Sequence, residues 1–318
     1  MTQNIIRSSK ELIERAVAIA GEGRRKTVAV AAAQDADVIG AVAQAQAEGF
    51  LNGILVGEVE LIKKLAAEND INIEGMELVD KKNVSEAAHY AARLAADKKA
   101  DAIMKGFLPT SALLKVVLDK QYNLRGSDTL SHCAVLDIPG YHKMLNFTDG
   151  GMVVKPDVDQ KYQILENAVM VGRALGLSPV KVAISAATES ITDKIAHIIS
   201  DVEEIRPRAM EALKDIIVEG PLSLDTATSK TAAAFQGIDN PVAGEADIYL
   251  VNSIEEANIV VKSLIQFAGA VFCGVIVGAK VPVSLVSRTD TIMNKKASLA
   301  LACVVSDYYT QNHIWEKS

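Results

Sequence analysis

Thr27-Val28-Ala29-Val30-Ala31-Ala32-Ala33 is a short apolar run of β-branched and small residues, and Ala36 to Glu48 follows it with helical spacing until Gly49. Gly53-Ile54-Leu55-Val56 repeats the strand signal, and Val59 to Asn69 repeats the helical one. A strand with no polar face must be covered on both sides, which is what the crossover helices of a parallel sheet do. The stretch therefore predicts an α/β chain with a doubly wound, mostly parallel sheet.

The pattern extends in both directions. Ser8-Ser9-Lys10-Glu11 has capping-box spacing, and Leu12, Ile13, Ala16, Val17 and Ala20 recur at helical intervals up to Gly21. Downstream, a short strand near Glu77 to Val79 leads to a helix from Ser85, its expected cap, to Lys99; a further strand covers Ala102 to Met104 and a helix Ala112 to Leu118. Between His132 and Val154 the rhythm changes. Ser131 to Leu136 and Met144 to Phe147 read as consecutive strands joined by the turn Asp137-Ile138-Pro139-Gly140. Lys155-Pro156-Asp157 is the expected domain boundary. A helix (Gln160 to Leu175), a strand (Val180 to Ser185), helices through Asp215 and strands at Ile216 to Val218 and Ile248 to Val251 follow. The predicted division is 1–155 with 285–318 as one discontinuous α/β domain and 156–284 as the second, in keeping with 318 residues and about 100–200 residues per domain.

A formal charge of −7 argues against a nucleic-acid surface, which needs a basic face to displace counterions, so an anionic ligand must find a local basic site. Cys133, Cys273 and Cys303 are far apart and form no C-x-x-C, which suggests neither disulfides nor zinc and makes a reducing cytoplasm the expectation. Leu264 to Ala279 is the longest uncharged apolar run, but it contains Gln266 and three glycines and falls short of the ~18 residues of a spanning helix, so no membrane segment is expected. Met1 to Lys10 is polar and lacks the apolar core of a signal peptide.

Two βα turns carry candidate chemistry. Val281 to Val286 reads as a buried strand ending in Ser287, Arg288, Thr289 and Asp290, ahead of a helix over Ala297 to Val305. A hydroxyl, a guanidinium and a carboxylate are thus presented at a strand's carboxyl end, where open parallel sheets bind ligands. A plainer alternative has Asp290 only capping the last helix. Met104-Lys105-Gly106-Phe107-Leu108-Pro109-Thr110-Ser111 likewise follows a strand and opens a helix, so free amides, Lys105 and the two hydroxyls make an anion site there. There is no G-x-G-x-x-G after the first strand, no G-x-x-x-x-G-K-S/T, no G-x-S-x-G and no H-E-x-x-H.

Several motifs occur in one order. Asn146-Phe147-Thr148-Asp149-Gly150-Gly151-Met152 precedes Lys155-Pro156-Asp157; Glu219-Gly220-Pro221-Leu222-Ser223-Leu224-Asp225 and Val242-Ala243-Gly244-Glu245-Ala246-Asp247 follow; Ser-Arg-x-Asp and Lys295-Lys296-Ala297-Ser298-Leu299-Ala300 close the set. Together they resemble the phosphate acetyl/butyryl transferase family from roughly Ala100 onward, the first hundred residues matching in pattern only. The resemblance implies two α/β/α domains with an interdomain cleft, similar to isocitrate and isopropylmalate dehydrogenases, and a homo-oligomer. It implies exchange of acyl-CoA and phosphate with acyl phosphate and coenzyme A, with coenzyme A as substrate and no resident cofactor or metal.

On that resemblance Ser287, Arg288 and Asp290 are the catalytic candidates. Arg288 would neutralise phosphate, Ser287 would donate to the oxyanion and Asp290 would serve as base. Lys105, Gly106, Thr110, Ser111, Lys115, Asp149 and Pro221 are the substrate-binding candidates, Lys115 standing where acetyl-type relatives have an arginine. Gly220-Pro221 also reads as a plain turn before a helix capped by Asp225, and Thr148 to Gly150 as mostly a turn. The S-R-T-D spacing resembles the butyryl or branched-chain branch; acetyl-type relatives carry the carboxylate further on, near Asn294. Rival expectations are a phosphate acetyltransferase, a metal- and nicotinamide-dependent decarboxylating dehydrogenase of the same fold, and a non-catalytic acyl-CoA-binding module.

Overall fold

A computed structural model describes residues 5–189 and 196–316. The chain divides into two compact units: Ser9–Asp128 with Val271–Ser318, and Thr129–Ala270 with Met1–Ser8.

In the first unit, helix α1 (Ser9–Ile19) passes through a wide turn (Ala20–Arg24) into β1 (Lys26–Ala31). Then come α2 (Ala36–Ala47), β2 (Leu51–Gly57), α3 (Val59–Glu68), β3 (Glu77–Asp80), α4 (Val84–Ala96), β4 (Ala102–Lys105) and α5 (Thr110–Val117). Strand β3 pairs with β2, β2 with β1 and β1 with β4, all in parallel. The expected alternation is present, with one cap displaced: Asn83, not Ser85, caps α4, its side-chain Oδ1 accepting from the amides of Ser85 and Glu86. An Asn at that place satisfies two of the helix's orphan donors, a common N-cap arrangement.

The second unit contains β5 (Ser131–Asp137), β6 (Leu145–Thr148), α6 (Val158–Ala174), β7 (Val180–Ser185), α7 (Ala196–Ala212), β8 (Ile216–Leu222), α8 (Leu224–Thr228), α9 (Lys230–Phe235), β9 (Ile248–Leu250) and α10 (Ile254–Ala268). Strands β5 and β6 form the expected antiparallel pair, and β6, β9, β7 and β8 run parallel in that order. Of the helical stretch expected to end at Asp215, positions 190–195 lie outside the described residues.

The chain then returns to the first unit as β10 (Val271–Val277), β11 (Val283–Ser284) and α11 (Ile292–Gln311). The seams therefore fall at 128/129 and 270/271, not at 155 and 285. The hairpin β5–β6 pairs with β9, so the change of rhythm marks the start of the second unit. Lys155-Pro156-Asp157 is a helix start: Asp157 accepts from the Gln160 amide at 2.8 Å and Gln160 reaches back to the Asp157 amide at 3.1 Å, a capping box. At the other seam β11 pairs with β10 and with β4, which ties both to the strands of the first unit.

Helix α11 fills the centre of the first unit. Ala297, Leu299, Ala300, Leu301 and Ala302 are fully buried, and the helix packs on α1, α2 and β10. A helix apolar on every side belongs in a core, and its small residues let three neighbours approach closely. No helix among the described residues is long and apolar enough to cross a membrane.

Candidate active site

Two βα turns of the first unit lie side by side. Strand β11 runs parallel to β4 with Val283 opposite Ile103 and Ser284 opposite Met104, so both chains leave the sheet at the same edge. The strand expected over Val281 to Val286 is reduced to Val283–Ser284, because it pairs antiparallel with β10 on one side and parallel with β4 on the other and then turns away.

After β4 the turn is clipped to the end of β1. The Gly106 amide donates to the Ala31 carbonyl at 2.9 Å and the Phe107 amide to that of Ala32 at 2.6 Å. Only glycine fits at 106, since a Cβ there would lie 2.1 Å from the Ala32 carbonyl oxygen. Lys105, at the strand's last position, is buried, and its ammonium donates to the carbonyls of Gly106 (3.4 Å) and Leu108 (3.3 Å). Burial pushes its pKa below the usual lysine range; Arg288 and Lys295 add to this and Asp35 opposes it. Helix α5 begins at Thr110 and Ser111, earlier than the predicted Ala112, with Pro109 at its N-cap and no side-chain cap, so its first amides stay open to an acceptor. Lys115 is exposed one turn beyond Ser111, at the i+4 spacing that shares a face.

The turn after β11 is closed by Asp290. Its Oδ2 accepts from the Ser287 amide at 2.6 Å and its Oδ1 from Asn294 Nδ2 at 3.3 Å, which leaves the carboxylate with further lone pairs to use. Thr291, not Asp290, caps α11, accepting from the Asn294 amide at 3.1 Å. Ser287 and Arg288 are exposed, the Ser287 hydroxyl lies 3.1 Å from that of Thr289, and the Arg288 guanidinium carbon sits 4.8 Å from the centre of the Phe107 ring. Lys295 is buried beneath the turn and donates to the carbonyls of Arg288, at 3.3 Å, and Asp290. Lys105, Gly106, Thr110, Ser111, Ser287, Arg288 and Asp290 thus belong to one pair of neighbouring turns. Phe107, Thr289 and Lys295 join them without having been singled out by residue type: an aromatic and a threonine in a turn carry no chemical signature, and Lys295 shows only as a charge inside an apolar helix.

Asp149 and Pro221 belong to the second unit. Asp149 is buried and its carboxylate is engaged by backbone, accepting from the amides of His132 (3.1 Å), Gly151 (2.8 Å), Met152 (3.1 Å) and Val153 (2.8 Å). Burial raises its pKa while those amides pull it down. This organises the loop 150–153. Pro221 lies inside β8, following a cis bond to Gly220, where a turn was expected. A strand at the edge of its sheet tolerates the missing amide hydrogen. Ser223, not Asp225, is the N-cap residue of α8; its hydroxyl lies 2.5 Å from Glu189 Oε1 and 2.6 Å from Asp225 Oδ1, and its single proton serves one of them at a time.

A family model described as phosphate acetyl/butaryl transferase matches residues 9–96 and 81–303, extending the likeness well ahead of Ala100. Over 289 residues the chain is 41% identical to the probable phosphate butyryltransferase of Bacillus subtilis (strain 168), covering 90% of this chain and 95% of that one. Over 292 residues it is 35% identical to the phosphate acetyltransferase of Thermotoga maritima, covering 92% and 99%. A solved structure, the branched-chain phosphotransacylase from Enterococcus faecalis V583, matches with a TM-score of 0.79 at 31% identity, covering 88% of this chain and 99% of that one.

Proposed function

The chain belongs to the phosphate acetyl/butyryl transferase family and is a phosphate acyltransferase, and from that premise we propose that its reaction runs at the paired turns 105–111 and 287–290, on a short acyl chain longer than acetyl. The observation that carries the proposal is the meeting of Lys105, Arg288 and the open start of α5 at one sheet edge. The S-R-T-D spacing and the 41% identity to a probable butyryltransferase support the chain-length preference.

The reaction is a transfer of an acyl group between sulfur and phosphate oxygen. No atom changes oxidation state, so the reading needs no redox cofactor, and coenzyme A enters as substrate. In the direction of thioester synthesis, coenzyme A must lose a thiol proton of pKa about 8.5, and a base such as Asp290 contributes roughly 10²- to 10⁴-fold by taking it. The thiolate attacks the acyl phosphate carbonyl, the tetrahedral oxyanion is held by the Ser287 hydroxyl, and the C–O bond breaks to release phosphate onto Arg288, Lys105 and the amides of α5. Aligning two bound substrates is worth up to about 7–11 kcal/mol. Asp149, through the loop 150–153, and Pro221, inside β8, enter as residues that shape the second unit rather than as groups that touch substrate.

A cytoplasmic location and a homo-oligomer belong to the same proposal. Three buried cysteines, none in a disulfide, fit a reducing compartment, and Phe235, Ile259 and Phe267 of the second unit expose apolar surface of the sort that subunits cover. The experiment is phosphate-dependent release of coenzyme A from acetyl, butyryl and isobutyryl thioesters, without added nucleotide. The proposal expects butyryl or isobutyryl to give the highest kcat/KM; a preference for acetyl would overturn the chain-length reading.

A further inference from the structure

Lys295 stands one turn into α11, between Asn294 and Lys296, and its side chain is only 1% exposed. A lysine there loses its hydration, a loss that must be offset by hydrogen bonds to the ammonium. Its ammonium donates to the carbonyl of Arg288 at 3.3 Å and to the carbonyl of Asp290, and it forms an ion pair with Asp37 Oδ2 in the first turn of α2 at 3.6 Å. Both carbonyls belong to the turn that displays Ser287, Arg288, Thr289 and Asp290. Holding them fixes the peptide planes that follow Arg288 and Asp290, and the first of these sets the direction in which the Arg288 side chain leaves the backbone. Its sequence neighbour Lys296 does nothing of the kind, forming an ordinary ion pair with Glu48 at 2.6 Å.

We propose that Lys295 is a positioning residue of the acyl transfer, a buried ammonium that locks the 287–290 turn in its reactive shape without touching substrate. The inference rests on the reading of Ser287 and Arg288 as groups that meet the substrate. It differs from a general stabilising role in that its effect passes through Arg288. Removing the ammonium frees two carbonyls, lets the turn relax, and misaims a guanidinium whose value depends on placement.

The test is a double-mutant cycle on the full chain with butyryl-CoA and phosphate. Lys295→Met, which keeps the side chain's length and apolar stem, is expected to melt cooperatively and to lose about 10- to 100-fold in kcat with little change in the KM for acyl-CoA. Arg288→Ala is expected to cost far less in the Lys295→Met background than in the wild type, because a misaimed guanidinium has little left to lose. Lys296→Met is the control and is expected to keep wild-type turnover. Wild-type turnover in Lys295→Met, or strict additivity of the two losses, would overturn the proposal. If Lys295→Met does not melt cooperatively, Lys295→Gln, which keeps one donor, is expected to fold and to show a smaller loss with the same non-additivity; failure of both variants to fold would make Lys295 a residue of the fold and overturn the idea. An Arg288→Ala variant with wild-type turnover would instead contradict the chemistry assigned to Arg288, which the Lys295 variants alone do not test.

Discussion

The guanidinium of Arg288 rests on the ring of Phe107, with 4.8 Å between the guanidinium carbon and the ring centre. The two come from βα turns far apart in sequence, and they meet because β11 lies parallel beside β4. Phe107 is 46% exposed, more than its apolar ring would choose for the sake of the core, so its contact with Arg288 is a better account of its place than packing. A cation over an exposed aromatic face is worth about 0.5–1 kcal/mol. Phe107→Ala should therefore leave the melting temperature nearly unchanged and cost several-fold in kcat/KM, while Phe107→Trp should keep activity. Kinetics and a melting curve for each variant check this, and a Phe107→Ala enzyme of wild-type efficiency would contradict it.

The turn at Gly106 makes a sharper stability prediction. With the Ala32 carbonyl oxygen 2.1 Å from where a Cβ would sit, Gly106→Ala must push the ends of β1 and β4 apart, at a cost of about 1–3 kcal/mol or more. Gly21, which has open space around it, serves as the control, and Gly21→Ala should stay within about 0.5 kcal/mol of the wild type. Denaturant midpoints for the two variants decide it.

Lys105 predicts a pH dependence of phosphate binding. Its folded pKa is lowered by burial and by the charges of Arg288 and Lys295, so it is a cation at low pH and loses its charge at a pH below the usual lysine range. The KM for phosphate should then rise with pH through that value, up to about tenfold per unit. Lys105→Arg, which does not titrate there, should flatten the rise. Because phosphate itself titrates, the comparison is between the two enzymes at each pH; superimposable profiles would remove Lys105 from the phosphate site.

Glu189 predicts a pH dependence of stability instead. Burial pushes its carboxyl up, but hydrogen bonds from Ser223 and Thr226 outweigh this and hold it at about 2. A depressed carboxylate stabilises the fold at pH above its ordinary value, and the gain is lost as pH falls through about 2. Allowing for solvent screening, the gain is about 1 kcal/mol. Wild type should melt higher than Glu189→Gln at neutral pH, with the gap closing between roughly pH 4.5 and 2. A gap that persists unchanged into acid would show that the carboxylate charge is not what matters.

Periodicity and punctuation carried most of the architecture. The strands β1, β2, β4 and β7 and the antiparallel β5–β6 pair are where apolar runs and turn residues place them, since buried strands and capped helices depend on local sequence. The unit boundaries did not follow from the same signals. Lys155-Pro156-Asp157 has the composition of a linker and the geometry of a capping box, and only the pairing of β6 with β9 shows which unit the hairpin joins. The candidate site was nominated where chemistry is written in residue type, as at Ser287, Arg288, Asp290 and Lys105, and the structure brings those residues to neighbouring turns. It was not legible where a residue matters through what it touches: Lys295 through two carbonyls, Phe107 through a guanidinium, Asp149 through four backbone amides.

The most direct measurement of the central claim is turnover of butyryl-CoA with phosphate by wild type, Arg288→Lys and Arg288→Ala at fixed ionic strength, with a melting curve for each. If Arg288 holds the phosphoryl oxygens as charge develops, alanine should lower kcat about 10²- to 10³-fold on an intact fold, and lysine should recover part of the loss because it restores the charge without the bidentate fork. Wild-type kcat and phosphate KM in the alanine variant would contradict the account, taking Arg288 out of the site and leaving Ser287 and Asp290 without the group they are placed beside.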